Sequence, residues 1–211
     1  RTHPVDHLDD REIDEIARAI SGAQSIDGKV LAATDGCVPG KIPSERVAVW
    51  GVAVGGNRIT GGLVPGCDTS TRAAEHHAAL MALLGAEKAR RDVWLLIDNS
   101  AVALKTVGAA RGNLAHQKNN TAAWHATADA CAERSHQIVW IPSYDKRPDW
   151  RPPSALNENQ CRDANAAADM ECNERGKEWK PVAAQFAEAQ IAAENWSRIA
   201  LTSQIESSEE L

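Results

Sequence analysis

Apolar positions change their period along this chain, and each change marks an element. Leu8, Ile13, Ile16 and Ile20 recur near helical spacing, Asp9 and Asp10 stand where a cap is wanted, and Gly22 follows the last periodic residue. A short amphipathic helix is therefore expected over Leu8 to Ile20. From residue 29 the pattern turns β-rich: Lys29 to Thr34, Arg46 to Val54 and Arg58 to Val64 are strand-length runs separated by Pro-Gly and Gly-Gly-Asn punctuation, which predicts a three-stranded meander. Thr71 to Arg90 reads as a long Ala- and Leu-rich helix, Val93 to Ile97 as a buried central strand, and a second helix starts near Asn99. A further helix over Ala122 to Arg134 leads into a buried strand, Gln137 to Ile141, closed by Pro142. A loop rich in Pro, Arg and Trp, Ser143 to Leu156, precedes a helix from about Gln160 to Glu174, and a Pro181-started helix forms the tail. Strands alternating with helices in the second half imply parallel pairing onto a sheet that begins antiparallel. The expected fold class is α/β with a mixed five-stranded sheet flanked by helices.

Length and composition bound this picture. With 211 residues, 43% hydrophobic and 25% charged, the chain suits one globular domain with flanks. We divide it into an acidic helical flank (1–28), a domain (29–175) and an acidic helical tail (176–211). The longest apolar runs are strand-length, so no membrane span is expected. The acidic N-terminus lacks the basic-then-apolar order of a signal peptide, and five cysteines without a C-x-x-C pair suit a reducing compartment, cytoplasmic or nuclear. The net charge of −6 argues against a nucleic-acid partner until its distribution is considered: residues 29–175 hold 17 basic and 16 acidic side chains, and the flanks hold the acidic excess.

Four carboxylates occupy positions from which they can converge. Asp35 ends the first strand in Thr34-Asp35-Gly36, Glu75 lies in the first turns of the long helix, Asp98 ends the central strand, and Asp163 lies early in the last core helix. Ligands of such sheets gather beyond the strand ends near a topological switch point. Clustered carboxylates repel one another unless a cation neutralises them, and hard oxygen donors select Mg²⁺ or Mn²⁺.

These motifs resemble ribonuclease H, including its retroelement branch, over residues 29 to 175. The family's T-D-G-S strand end is matched by Thr34-Asp35-Gly36-Cys37. Its helix-borne acid after a small polar run is matched by Thr69-Ser70-Thr71-Arg72-Ala73-Ala74-Glu75. Its strand ending in Asp-Ser is matched by Leu95-Leu96-Ile97-Asp98-Asn99-Ser100, and its N-x-x-x-D by Asn159-Gln160-Cys161-Arg162-Asp163. The family usually carries a His where Tyr144 stands in Trp140-Ile141-Pro142-Ser143-Tyr144. A phenol with a pKa of about 10 does not shuttle protons near neutrality as imidazole does.

The resemblance implies an endoribonuclease that hydrolyses the RNA strand of an RNA–DNA hybrid with two Mg²⁺ or Mn²⁺ ions. Asp35 would bridge the ions, Asp163 would help hold the one that activates water, and Glu75 and Asp98 the one that stabilises the leaving 3′ oxygen. The Gly36 backbone and Asn159 amide would contact the 2′-hydroxyl that distinguishes RNA. Ser70 and Thr71 would grip phosphate of the DNA strand, and Lys118, Arg134, Lys146, Arg147 and Arg151 offer further phosphate contacts. The chain opening on Arg, together with its helical flanks, points to the C-terminal part of a retroelement polyprotein, with the reverse transcriptase portion as its neighbour.

Blander readings accompany each residue. Asp35 suits a turn, Asp98 a helix cap, and Glu75 and Asp163 first helical turns; independent caps have no reason to reproduce all four family contexts. His76 and His77 are adjacent, point about 100° apart on a helix and cannot chelate together. Trp50, Trp94 and Trp140 lie in strands and suit a core; Cys161 and Cys172 share a helix face and suit one too. Two competitors remain: a non-catalytic ribonuclease H-like module that binds nucleic acid or protein, which Tyr144 would permit, and a superfamily member that acts on DNA.

Overall fold

The computed structural model describes residues 9–39, 46–65, 70–114, 121–143, 147 and 149–209. Among the described residues six strands form one mixed sheet: β1 (Ser25–Ile26), β2 (Lys29–Cys37), β3 (Val49–Val54), β4 (Asn57–Leu63), β5 (Val93–Ile97) and β6 (Gln137–Trp140). The order is β4-β3-β2-β5-β6, with the two-residue β1 pairing β2. β2 pairs antiparallel with β3 and parallel with β5, and β5 pairs parallel with β6. The expected mixed sheet is thus present, with β1 as a sixth strand too short to carry a hydrophobic period of its own.

Alternation along β2 separates two cores. Val30 and Ala32 face one layer, while Leu31 and Ala33 face the other. On the first face lie α1 (Asp10–Gly22), α2 (Thr71–Ala89), α3 (Ser100–Ala110) and α4 (Thr121–Cys131), contributing Ile16, Ile20, Met81, Leu83, Val102 and Ala130 to the core. On the second face lies α5 (Glu158–Glu209), whose Cys161, Ala164, Ala167 and Ala168 pack on Leu31, Ala33, Ala53 and Leu96. Small residues on this stripe let the helix backbone lie close to the strands.

The N-terminal helix is acidic outside and apolar within. Asp9 caps it by accepting from the Arg11 amide, and Ile13, Ile16, Ala17 and Ile20 are buried. Ile16 fills the space left by Gly85, where a Cβ would come 2.3 Å from Ile16 Cγ2. Truncating a buried isoleucine costs about 2–5 kcal/mol, so α1 is a structural part of this core.

The tail departs from its expected break. Pro181 lies inside α5, which runs unbroken through 52 residues. Proline removes one helical hydrogen bond and strains the preceding turn, costing roughly 3 kcal/mol. Strong helix formers on both sides, and the Arg175–Glu171, Arg175–Glu178 and Lys177–Glu174 pairs before it, carry the helix through.

Candidate active site

Two glycines let the helices approach the central strand where the acids stand. Gly36 follows the parity of Val30 and Ala32, and a Cβ on it would meet the Glu75 amide nitrogen at 2.1 Å. Only a residue without a side chain brings the first turns of α2, and Glu75 with them, onto β2. On the opposite face Gly51, paired with Asp35 across β2 and β3, lies under α5, where a Cβ would come 2.6 Å from the Cys172 amide nitrogen. Ser70 caps α2, its hydroxyl accepting from the Ala73 amide at 3.1 Å, which fixes the register of the helix before Glu75.

Asp35 lies within β2, two residues before its end, and Asp98 immediately follows the adjacent β5. Asp35, Glu75 and Asp98 offer carboxylate oxygens that all lie within 4.8 Å of one another. Asp35 and Glu75 are buried at 7% and 4% exposure, so water screens their charges poorly. Burial first, then the Asp98 charge, pushes the Asp35 carboxyl up to about 6. Burial, then Asp98 and Asp35, pushes Glu75 up to about 10. Glu75 Oε2 is buried without a hydrogen-bond partner. A buried, orphaned acceptor among like charges is the donor set that a hard cation satisfies, so these residues could hold a hard divalent cation.

Neighbouring groups hold the acids in place. The Trp140 indole Nε1 donates to the Asp98 main-chain oxygen at 3.0 Å, tying the end of β5 to β6. Asn99 caps α3 by accepting from the Val102 amide, which orients the chain leaving Asp98. The Cys172 thiol touches both the Asp35 carboxylate and Cys37 Sγ, the latter at 3.0 Å, and is held well above the ordinary thiol range by the Cys37 contact first, then by burial and Asp35.

Asp163 does not join the three acids. It is exposed and lines a cleft with Gln160, Leu31, Val54 and Gly55, at the opposite end of the strands. The acid on α5 whose charge acts on Asp35 is Asp169, one helical stretch of about 9 Å further on. Its Oδ1 accepts from the Asn173 amide at 3.0 Å. The sequence carried a signal for it: Asn165-Ala166-Ala167-Ala168-Asp169 repeats the N-x-x-x-D spacing of Asn159 to Asp163, six residues later. Docking on Gly51, close to the Ala168 oxygen, selects the second copy.

The other expected contacts divide in the same way. Asn159 is exposed in the first turn of α5, capped by Asn157, near Asp163 rather than the acids. Gly36 is buried against α2, whereas Ser70 and Thr71 are exposed at the start of that helix. Tyr144, Lys118 and Lys146 lie outside the described residues. Arg134 precedes β6, at the far end from Asp98, while Arg147 lies over Trp140 at 5.8 Å and Arg151 bonds the Trp150 oxygen and Glu158. His76 stacks on Trp124 and bonds Thr127, and His77 meets Trp50 edge-on, so both are structural.

No protein-family model matches this sequence, and no curated protein matches it. Solved structures do. The solution structure of the PFV RNase H domain matches 72% of this chain and 98% of its own length, with a TM-score of 0.50 and 16% identity. The chain has a ribonuclease H-like fold. The native crystal structure of prototype foamy virus protease-reverse transcriptase matches 74% of this chain, with a TM-score of 0.53 and 16% identity, and this chain covers 22% of that larger one. In the ribonuclease H-like sheet described here, the three acids gather where the strand order switches between β2 and β5. Among the described residues no helix is long and apolar enough to cross a membrane.

Proposed function

We propose that this chain is a divalent-metal-dependent ribonuclease H that hydrolyses the RNA strand of RNA–DNA hybrids. The observation that carries this reading is the meeting of Asp35, Glu75 and Asp98, from three separate elements, within 4.8 Å of one another on a ribonuclease H-like sheet. Asp35, Glu75 and Asp98 would hold one ion, and Asp35 with Asp169 a second, Asp169 taking the part that sequence motifs assign to Asp163. When bound, such ions supply an activated water and charge stabilisation at the leaving 3′ oxygen.

The chain's own residues do the positioning. Gly36 admits Glu75 to the strand, the Trp140 indole holds the Asp98 main chain, and the Cys172 thiol donates toward Asp35. Ser70 and Thr71, exposed at the start of α2, are the proposed grip on phosphate of the DNA strand. The joining of protease and reverse transcriptase in the foamy virus neighbour supports a reverse transcriptase portion as this domain's polypeptide neighbour.

Cleavage of a labelled RNA–DNA hybrid in Mg²⁺ and in Mn²⁺, beside double-stranded RNA, double-stranded DNA and an Asp98→Asn control, tests the reading. Hybrid-only cutting that leaves 3′-hydroxyl ends and disappears in the control is expected. Hybrid binding without cutting would make the chain a non-catalytic module, and cutting of duplex DNA would place it with DNA-acting enzymes.

A further inference from the structure

Two cysteines separated by 135 positions in sequence meet beside the acid cluster. Cys37 ends β2, Cys172 lies on α5, and their sulfurs are 3.0 Å apart. Cys172 is fully buried, its Sγ also 3.5 Å from the Val49 oxygen, and α5 is seated there on Gly51 with no side chain between helix and strand. Cys37 is half-buried and opens onto a cleft of about 540 Å³ lined also by Pro39, Arg58, Met170, Asn173 and Lys177. Solvent and small solutes therefore reach one sulfur of the pair, while packing holds the second against it. The described Cys131 and Cys161 are buried elsewhere, on α4 and early in α5.

We propose that Cys37 and Cys172 are an oxidative modification site, closing to a reversible disulfide on reaction with hydrogen peroxide. A disulfide needs its sulfurs about 2.05 Å apart, so roughly 1 Å of closure is required, within reach of side-chain rotation at the half-exposed end of β2. Cys37 sulfur attacks the peroxide, the O–O bond breaks, and a sulfenic acid and water form. Cys172 sulfur then displaces the hydroxyl as a second water. Two thiols lose two electrons and two protons, and hydrogen peroxide is reduced to two waters. The product has two consequences. Cys172 loses the S–H that it offers to Asp35, and the end of β2 is tied to α5 across a long loop, which restricts the unfolded chain. The effect on cleavage rests on the nuclease reading above; the bond itself does not.

The test treats the full chain with hydrogen peroxide, then maps cysteine peptides and melts the protein with and without dithiothreitol. Expected are an intact mass lower by two hydrogens, a Cys37–Cys172 cross-linked peptide, a higher Tm than the reduced protein, and reversal by dithiothreitol. Cys37→Ser, at the half-exposed position, abolishes all of these. Peroxide that drives Cys37 to a sulfinic acid without cross-linking, or bonds routed through Cys67, Cys131 or Cys161, would overturn the proposal. Peptide mapping of the unmutated chain decides even if a Cys172→Ser protein fails to fold. In a parallel arm the oxidised protein loses hybrid cleavage and regains it on reduction, while Cys37→Ser is insensitive to peroxide. A protein that never cuts hybrid refutes the nuclease reading, and the mapping still judges the disulfide.

Discussion

The two ends of the central sheet carry similar ingredients and do different things with them. At the end where β2 and β5 finish, Asp35, Glu75 and Asp98 crowd within 4.8 Å, two of them buried. At the other end a cleft of about 670 Å³, lined by Gly22, Leu31, Gly55, Gly56, Gln160 and others, contains one exposed acid, Asp163. Among the described residues lining this cleft, no second acid stands beside Asp163. Convergent like charge, held in place against its own repulsion, distinguishes the first end, because such an arrangement lowers stability unless a ligand compensates it.

The largest expected effect separates the ends by charge. Asp35→Asn and Asp98→Asn each lower hybrid cleavage by roughly 10²–10³-fold or more, the scale seen when one charge-stabilising group is removed. Asp169→Asn lowers it substantially, whereas Asp163→Asn leaves it nearly unchanged. Single-turnover assays of the four variants check this; equal losses at Asp163 and Asp169 would erase the distinction between the ends.

Glycine packing gives a second contrast. Gly36→Ala drives a Cβ to 2.1 Å from the Glu75 amide nitrogen, at an expected cost of about 1–3 kcal/mol or more. Gly22→Ala, at the far cleft, meets nothing within 4 Å and should shift stability by no more than about 0.5 kcal/mol. Urea unfolding of both variants measures the difference.

The pH dependence of metal-free stability follows from the raised carboxyls. A carboxyl whose pKa is higher in the folded state binds its proton more tightly there, so its contribution is present at low pH and is lost as pH rises through the folded value. For Asp35 that window runs from 3.8 to about 6, and for Glu75 from 4.5 to about 10. His76 and His77, depressed by burial to about 3 and about 4, act oppositely, losing stability as pH falls below 6.5. Glu12, raised by burial to about 7, is still half protonated at neutrality and completes its change above it. Between the end of that change and the onset of thiol ionisation near 9.0, where Cys131 and Cys161 add losses of their own, Glu75 is therefore the main source of a falling Tm in EDTA. Mn²⁺ or Glu75→Gln should flatten that fall; a slope unaffected by both would show that the cluster does not strain the fold.

Trp140→Phe gives the smallest effect. It removes the indole donor to the Asp98 oxygen and keeps most of the ring packing, so about 1 kcal/mol of stability and a modest loss of turnover are expected. An unchanged rate with the same stability loss would confine Trp140 to a structural role.

Much of this architecture is legible in the sequence because it is set locally. The change from helical to strand period located every core element, and the three motifs around Asp35, Glu75 and Asp98 describe a strand and its neighbour's end and a helix's first turns, each readable within a few residues. The six-strand count was less legible, since Ser25–Ile26 is too short to show a period. Pro181 suggested a helix start, but the intact backbone bonding on both sides outweighs one missing donor.

What the sequence alone determined is therefore the elements other than β1 and the unbroken tail of α5, their order, and the three acids whose positions depend on where a strand or helix lies. The tertiary structure decided the choice between two equivalent N-x-x-x-D spacings on α5, and the meeting of Cys37 with Cys172. Local chemistry at Asp163 and Asp169 is nearly the same. Which one faces Asp35 depends on how far α5 slides along the sheet before its backbone finds the gap above Gly51, a long-range packing fit that no short stretch of sequence encodes.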